Sequence, residues 1–306
     1  MKRKIGLSIG LYQRKFGARR ALEIAKEIGA DAVDFNLCGD YERGKADSVY
    51  AKGPEAVKAY FESLGAYAKE LGLIVSQTHG RILGFRDDKA ADDELIEDGI
   101  LDLIATRALG APVCVMHTTT TIFMGPDAPR ETMHRLNYDM FSRLLPYARR
   151  EGVKIATETF GDATGRGCVD FFGDINEFIE GFYAVYDAHP DLCDCFTVCI
   201  DTGHSNKATR YGNPSSADVI RRIGKDRIST LHLNDNDTLT DQHKMPLSGT
   251  IDWTDVFDAL DEVGYSGVYN MELNLGFYGE HVCIDTGAFA IKVLRNYLRK
   301  RYGGDA

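Results

Sequence analysis

The 306-residue chain has no run of 18 consecutive apolar residues, so neither a membrane-spanning helix nor a membrane partner is expected. It is short of positive charge: 36 Lys and Arg against 46 Asp and Glu give a formal net charge of −10. A surface that tracks phosphates needs clustered Lys and Arg, so no nucleic-acid partner is expected. Proline is scarce, at eight residues, and no Pro- or Ser-rich linker divides the chain, which predicts a single domain over residues 1–306. No Gly-rich fingerprint follows the first apolar segment, which sets aside a dinucleotide-binding doubly wound sheet. Disulfide spacing is absent too. The seven cysteines, at 38, 114, 168, 193, 195, 199 and 283, form an odd set that fits a reducing, cytoplasmic location. Cys193, Cys195 and Cys199 are too few for a structural zinc site and read as small buried apolar residues.

What is present is a repeating alternation. Short apolar segments at 4–10, 32–37, 73–79, 113–117, 153–160, 196–201, 228–234 and 268–273 read as strands. The first has a basic head but too short an apolar part for a signal peptide. Between and after these strands, amphipathic segments at 18–28, 54–71, 92–109, 131–150, 175–186, 215–223, 253–263 and 286–302 read as helices. Eight strand–helix units in one chain of this length predict an α/β fold, a single (β/α)8 TIM barrel.

In such a barrel the C-terminal strand ends form the functional rim. Strands three to eight end, in order, in His79, His117, Glu158, Asp201, His232 and Glu272. His204 lies just beyond Asp201, and Asp241 with His243 lies in the loop after His232. Grouped carboxylates repel unless a cation or a shared proton offsets them, so this set points to a divalent ion. Oxygen-rich ligands lean to Mn2+ or Mg2+ and additional imidazoles lean to Zn2+; both descriptions fit parts of the set. His134, His189 and His281 fall away from the rim. Asp34 ends the second strand and could meet substrate hydroxyls. Phe35, Phe160 and Trp253 read first as core and second as an apolar wall. The turn at 247–250, with Lys244 nearby, offers either a backbone phosphate cradle or an ordinary turn into the next helix.

The motifs Ala-Thr-Glu158-Thr-Phe, Ile-Asp201-Thr-Gly-His204 and Leu-His232-Leu-Asn-Asp-Asn-Asp, with Asp241-x-His243-x-x-Pro246-x-x-Gly249-x-Ile-Asp252-Trp253 and Glu272, resemble the xylose isomerase-like barrel superfamily. That superfamily holds sugar and sugar-phosphate isomerases and epimerases, inosose dehydratases and endonuclease IV. Resemblance to its ketose 3-epimerase branch implies one divalent ion, Mn2+ first and Zn2+, Mg2+ or Co2+ as alternatives, held by Glu158, Asp201, His232 and Glu272. It also implies that Glu158 and Glu272 act as an acid/base pair through an enediolate on a small sugar or sugar phosphate. His79, His117, His204, Asp235, Asp241 and His243 would then contact substrate. Asp235 and Thr238 stand where those epimerases carry a Glu and an Arg, so a free ketohexose is a weaker expectation. Oligomers are common among such relatives, and a homo-oligomer is allowed. The alternatives are an inosose dehydratase-type lyase and an endonuclease IV-like zinc phosphodiesterase. A trinuclear zinc set for the latter is matched by His79, His117, Glu158, Asp201, His204, His232, Asp241, His243 and Glu272. The acidic balance opposes DNA binding, with only scattered Arg81, Arg86 and Arg166 for basic contacts.

Overall fold

A computed structural model describes residues 3–39, 41–45, 47–163 and 167–303. Its strands are β1 Ile5–Ser8, β2 Ala32–Asn36, β3 Ile74–His79, β4 Val113–Met116, β5 Lys154–Glu158, β6 Asp162–Ala163, β7 Cys168–Val169, β8 Phe196–Asp201, β9 Ile228–His232 and β10 Tyr269–Met271. Eight of them form one parallel sheet in the order β10-β1-β2-β3-β4-β5-β8-β9. The ends meet where Leu233 pairs with Met271, and Leu233 N–H donates to Asn270 O at 2.8 Å. The chain therefore folds as a (β/α)8 barrel. Among the described residues only β6 and β7 stand apart, paired antiparallel in the loop after β5.

The helices are α1 Gly10–Phe16, α2 Ala18–Glu27, α3 Pro54–Glu70, α4 Lys89–Leu109, α5 Thr121–Met124, α6 Arg130–Glu151, α7 Ile175–Ala188, α8 Thr202–Ala208, α9 Ser216–Ile223, α10 Trp253–Glu262 and α11 Cys283–Tyr302. Their boundaries follow local chemistry. Asp88 caps α4 by accepting from the N–H groups of Ala90 and Ala91, and Gly110 ends it with a φ of 79°. Asp252 caps α10 in the same way. The short helices α1, α5 and α8 were not expected from sequence. α8 starts directly off β8 because the Asp201 carboxylate accepts from His204 N–H and so acts as its N-cap. Among the described residues, no helix is long and apolar enough to cross a membrane.

Strand periodicity sorts the side chains. Val33 and Phe35 pack outward into the apolar layer shared with the helices. Glu158 and Ala156 share one face of β5, and Asp201 and Cys199 share one face of β8. Ala156 and Cys199 form a small separate apolar cluster with Val113 and Val115, which fills one side of the barrel interior. The other side is polar. Thr230 bonds the Gln77 amide oxygen, and Gln77 Nε2 donates to Asp34 Oδ2 at 3.4 Å. A barrel interior is ordinarily packed with branched apolar residues, so this polar layer needs a reason at the rim above it.

The loop leaving β3 is held by a buried ion pair. Arg81 donates from Nε to Asp102 Oδ2 at 2.7 Å and from Nη2 to Asp102 Oδ1 at 3.1 Å, and Nη2 also meets Leu37 O and Tyr41 O. Tyr50 donates to the same carboxylate at 2.7 Å. Arg81 is thus engaged in tying the β2 and β3 loops together, not in reading a ligand. Breaking a buried pair from one side leaves an uncompensated charge. Asp102→Ala should therefore lower unfolding free energy by about 3–5 kcal/mol in urea denaturation. A loss below about 1 kcal/mol would show that the pair does not hold these loops.

Candidate functional site

The strand ends meet around Glu158. Its carboxylate is fully buried, with four imidazoles about it. His232 Nδ1 lies 3.2 Å and His204 Nδ1 3.3 Å from Oε1. His117 Nε2 lies 3.2 Å and His79 Nε2 3.5 Å from Oε2. Glu272 reaches the same space from β10's end: its Oε2 is 3.3 Å from His232 Nδ1 and its Oε1 3.6 Å from His79 Nε2. One ligand atom from each of His79, Glu158, His232 and Glu272 lies within 4.8 Å of the others. Asp201 stands beside this group. Its Oδ1 accepts from His204 N–H at 2.6 Å and its Oδ2 from Asn234 Nδ2 at 2.8 Å. Asp201 also groups with Glu158 and His204, and with His243 and Glu272. The four-residue constellation thus includes His79, with Asp201 grouped beside it through Glu158 and Glu272. A second set, His204, Asp241 and His243, adjoins it: Asp241 Oδ2 is 3.5 Å from His204 Nε2 and 3.2 Å from His243 Nε2.

The field here favours positive charge. Burial pushes the Glu158 carboxyl up, yet His232 and His117 prevail and hold it well below the usual carboxylate range. Burial opposes a charge on His243, but Asp241 and Glu272 raise its pKa to about 9. Asp201 is pushed up to about 6 by burial and by Glu158 and Glu272, against the pull of His204. His117 is lowered, chiefly by burial. Both Glu158 oxygens, His117 Nε2 and His232 Nδ1 are buried without a hydrogen-bond partner in the described structure. Buried acceptors left open in this way, ringed by nitrogen ligands, fit a divalent cation.

Several side chains orient the cluster. Asp34 Oδ2 lies 3.1 Å from His232 Nε2, which leaves Nδ1 for the pocket. Asp34 was expected to meet substrate hydroxyls, but it is fully buried beneath His232. The clue was a lone carboxylate at an inward position between Val33 and Phe35. Gly203 is required by close approach, since a Cβ there would stand 1.8 Å from Asn234 Oδ1. His204 Nδ1 also lies 3.1 Å from Thr159 O.

One further expectation needs correction, and where two readings stood side by side the structure selects between them. Asp235 was expected to contact substrate. It is fully buried, and its carboxylate takes N–H bonds from Asn236, Gly249, Ile251 and Trp253 Nε1. The amides of Gly249 and Ile251 are therefore engaged, and Thr250 N–H donates to Asn236 O, so the 247–250 turn is no phosphate cradle. Trp253 is a buried anchor for Asp235, and Phe35 packs against Phe61 in the core. Phe160 alone of the three aromatics lines the cluster, 5.4 Å from the His117 ring and 5.2 Å from His204. Arg166 lies outside the described residues. His134 and His189 bond Glu177 and Ser142 away from the cluster.

The chain belongs to the xylose isomerase-like TIM barrel family, whose model matches residues 22–292. Uncharacterized protein y4fM of Sinorhizobium fredii is 26% identical over 278 residues, 86% of this chain and 83% of that one. The protein named Probable endonuclease 4 of a Geobacillus species is 30% identical over 137 residues, 43% of this chain and 40% of its own length. Among solved structures, the IOLI protein with a binding zinc atom superposes with a TM-score of 0.74 at 18% identity, covering 98% of this chain and 100% of that one. A D-tagatose 3-epimerase-like protein gives the same TM-score and identity, covering 97% of each chain.

If the pocket takes a divalent ion, Asp34→Asn should weaken its retention by about 10–100-fold in competition with a chelator. Retention equal to wild type would remove Asp34 from any part in holding His232.

Proposed function

We propose that this protein is a metal-dependent isomerase or epimerase of a small sugar or sugar derivative. The observation that carries the reading is the pair Glu158 and Glu272. They reach one pocket from separate strands, with a ligand oxygen of each within 4.8 Å of the other. Simple binding of a sugar needs no such pair, whereas inverting one carbon through an enediolate needs a group on each of its faces, one to take the proton and one to return it. Glu158, Asp201, His232 and Glu272 would hold the ion, with His79 close enough to join them. A bound divalent ion would supply Lewis-acid stabilisation of negative charge developing on the substrate oxygens.

The residues of the chain do the rest. One glutamate accepts the proton from the C–H beside the carbonyl, leaving an enediolate, and the other glutamate, protonated, returns one. Return to the opposite face inverts the centre, and return to the neighbouring carbon, with the hydroxyl proton passing from one enediolate oxygen to the other, moves the carbonyl. His232 is held in one ring orientation by Asp34. His204 and His117, beside Phe160, border the space where substrate hydroxyls would lie.

An endonuclease-like zinc phosphodiesterase is the second reading, supported by the separate His204, Asp241 and His243 set and by the partial relative named above. Against it, the rim offers few free cations: Arg81 is engaged by Asp102, and Lys207 pairs with Asp162.

Glu158→Gln and Glu272→Gln should each reduce turnover by at least about 10²-fold on a ketose or ketose-phosphate panel, with circular dichroism unchanged. Full activity in either variant would sink the mechanism. Elemental analysis of protein purified without chelator should find about one divalent ion per chain. Two or three zinc ions, with cleavage of abasic DNA, would favour the second reading instead.

A further inference from the structure

The wall that carries Glu272 and His243 also bounds a cavity of about 420 Å³ at the C-terminal ends of β1, β2 and β10. Its polar lining includes Ser8, Arg14, Asn36 and Asn274. Asn274 is fixed to the His243 loop, since its N–H donates to His243 O at 2.8 Å. The volume suits a small ligand with one end on the carboxylate–imidazole cluster.

Arg14 is the only Lys or Arg lining this cavity, and among the described residues it has neither an ion pair nor a hydrogen-bond partner. The side chain of this exposed residue lies back along α1: Nη1 stands 3.4 Å from where a Cβ on Gly10 would be, beside the Asn36 side chain. Glycine at position 10 leaves room for that placement. The acid opposite, Glu280, has its own cation in Lys15 at 3.7 Å.

The remaining charges make this placement matter. Glu272 and Glu280 line the cavity, the adjoining cluster holds Glu158, Asp201 and Asp241, and the whole chain carries −10. The imidazoles and a bound divalent ion would offset these carboxylates at the cluster itself, whereas an anionic group at the outer end of a ligand would need a cation of its own. Lys207 pairs with Asp162, Arg81 with Asp102, and Lys244 Nζ lies 5.6 Å from the Phe277 ring centroid. The amides of the β9 loop are engaged by Asp235 and Asn236. Arg14 has no such partner.

Building on the sugar isomerase reading, we infer that the substrate is an anionic sugar whose carboxylate or phosphate is taken by Arg14, while its reacting carbons lie at Glu158 and Glu272. A guanidinium suits either group, because its fork of N–H donors matches two oxygens at once.

The test is calorimetric titration of metal-loaded wild type, Arg14→Gln and Arg14→Lys with D-fructose, D-fructose 6-phosphate and D-glucuronate. At least one anion should bind wild type about 10–100-fold more tightly than D-fructose, as expected for hydrogen bonds to a charged group. Arg14→Gln should erase that preference with metal content unchanged, and Arg14→Lys should keep part of it. Preference for the phosphate alone or for the uronate alone identifies the group. The inference is overturned if neither anion is preferred over D-fructose, or if the preference survives in Arg14→Gln. Its failure is separable from that of the isomerase reading. Loss of turnover in Glu158→Gln without any anion preference leaves the isomerase and removes the Arg14 site. An Arg14-dependent anion preference beside a fully active Glu158→Gln does the reverse.

Discussion

A carboxylate with no solvent exposure, placed where strand ends crowd together, is the constraint on which the rest of this molecule turns. Glu158 is fully buried, and neither of its oxygens has a hydrogen-bond partner in the described structure. Isolated, such a charge would cost several kcal/mol. What offsets it is positive or potentially positive charge: His79, His117, His204 and His232 all stand within about 3.5 Å of its oxygens. Four imidazoles from four different points of the rim can reach one carboxylate only if a closed barrel brings β3, β4, β8 and β9 round to β5. The fold is thus the device that makes an otherwise unfavourable group tenable, and tenable in a form that still has open ligand atoms.

The support extends downward and outward. Beneath the rim, Thr230, Gln77 and Asp34 form a polar chain that ends on His232 Nε2, while Val113, Val115, Ala156 and Cys199 close the other side with apolar packing. The interior is divided because its two sides do different work. One fixes an imidazole that must present a particular nitrogen, and the other excludes water beneath Glu158 and Asp201. Outside the barrel, Arg81 and Asp102 set the path of the chain just after His79, and Asn234, made possible by Gly203, sets the Asp201 carboxylate. His232, Asp201 and the chain after His79 are therefore each set by a neighbouring side chain, Asp34, Asn234 and Arg81 respectively.

Much of this was legible in the sequence. Strand 196–201 and helix 54–71 follow from apolar periodicity and glycine stops. The convergence of His79, His117, Glu158, Asp201, His232 and Glu272 follows from one rule of barrel geometry applied to strand ends. The β9 loop was not legible. It passes through left-handed φ values at Thr238, His243 and Leu247, none of them glycine, so no turn residue announces its path. That path folds 249–251 back onto Asp235 and Asn236, turning an expected substrate ligand into an internal anchor. Asp34 was placed on the correct strand but given the wrong neighbour, because pairing with His232 spans 198 residues and depends on barrel closure. Helix α8 was missed because seven residues carry too little periodicity to be seen beside the motif they contain.

The two sides of the rim differ in how their charge is balanced. Toward α8 the balance is internal: Lys207, nearly buried, pairs with Asp162 and lies 4.0 Å from Asp241 Oδ1, so the acid nearest the second histidine set already has a cation beside it. Toward β1 and β10 the balance is incomplete, with Arg14 facing the cavity that Glu272 and His243 enclose. An extended ligand entering this mouth meets a neutralised wall on one side and an open guanidinium on the other. Polarity of that kind orients a chain of similar hydroxyls, which by themselves give a sugar no preferred direction. Under the proposed proton transfer between Glu158 and Glu272, one product would form only if the ligand lay one way round, so asymmetry in the rim's charge would bear directly on what the pair of carboxylates can do.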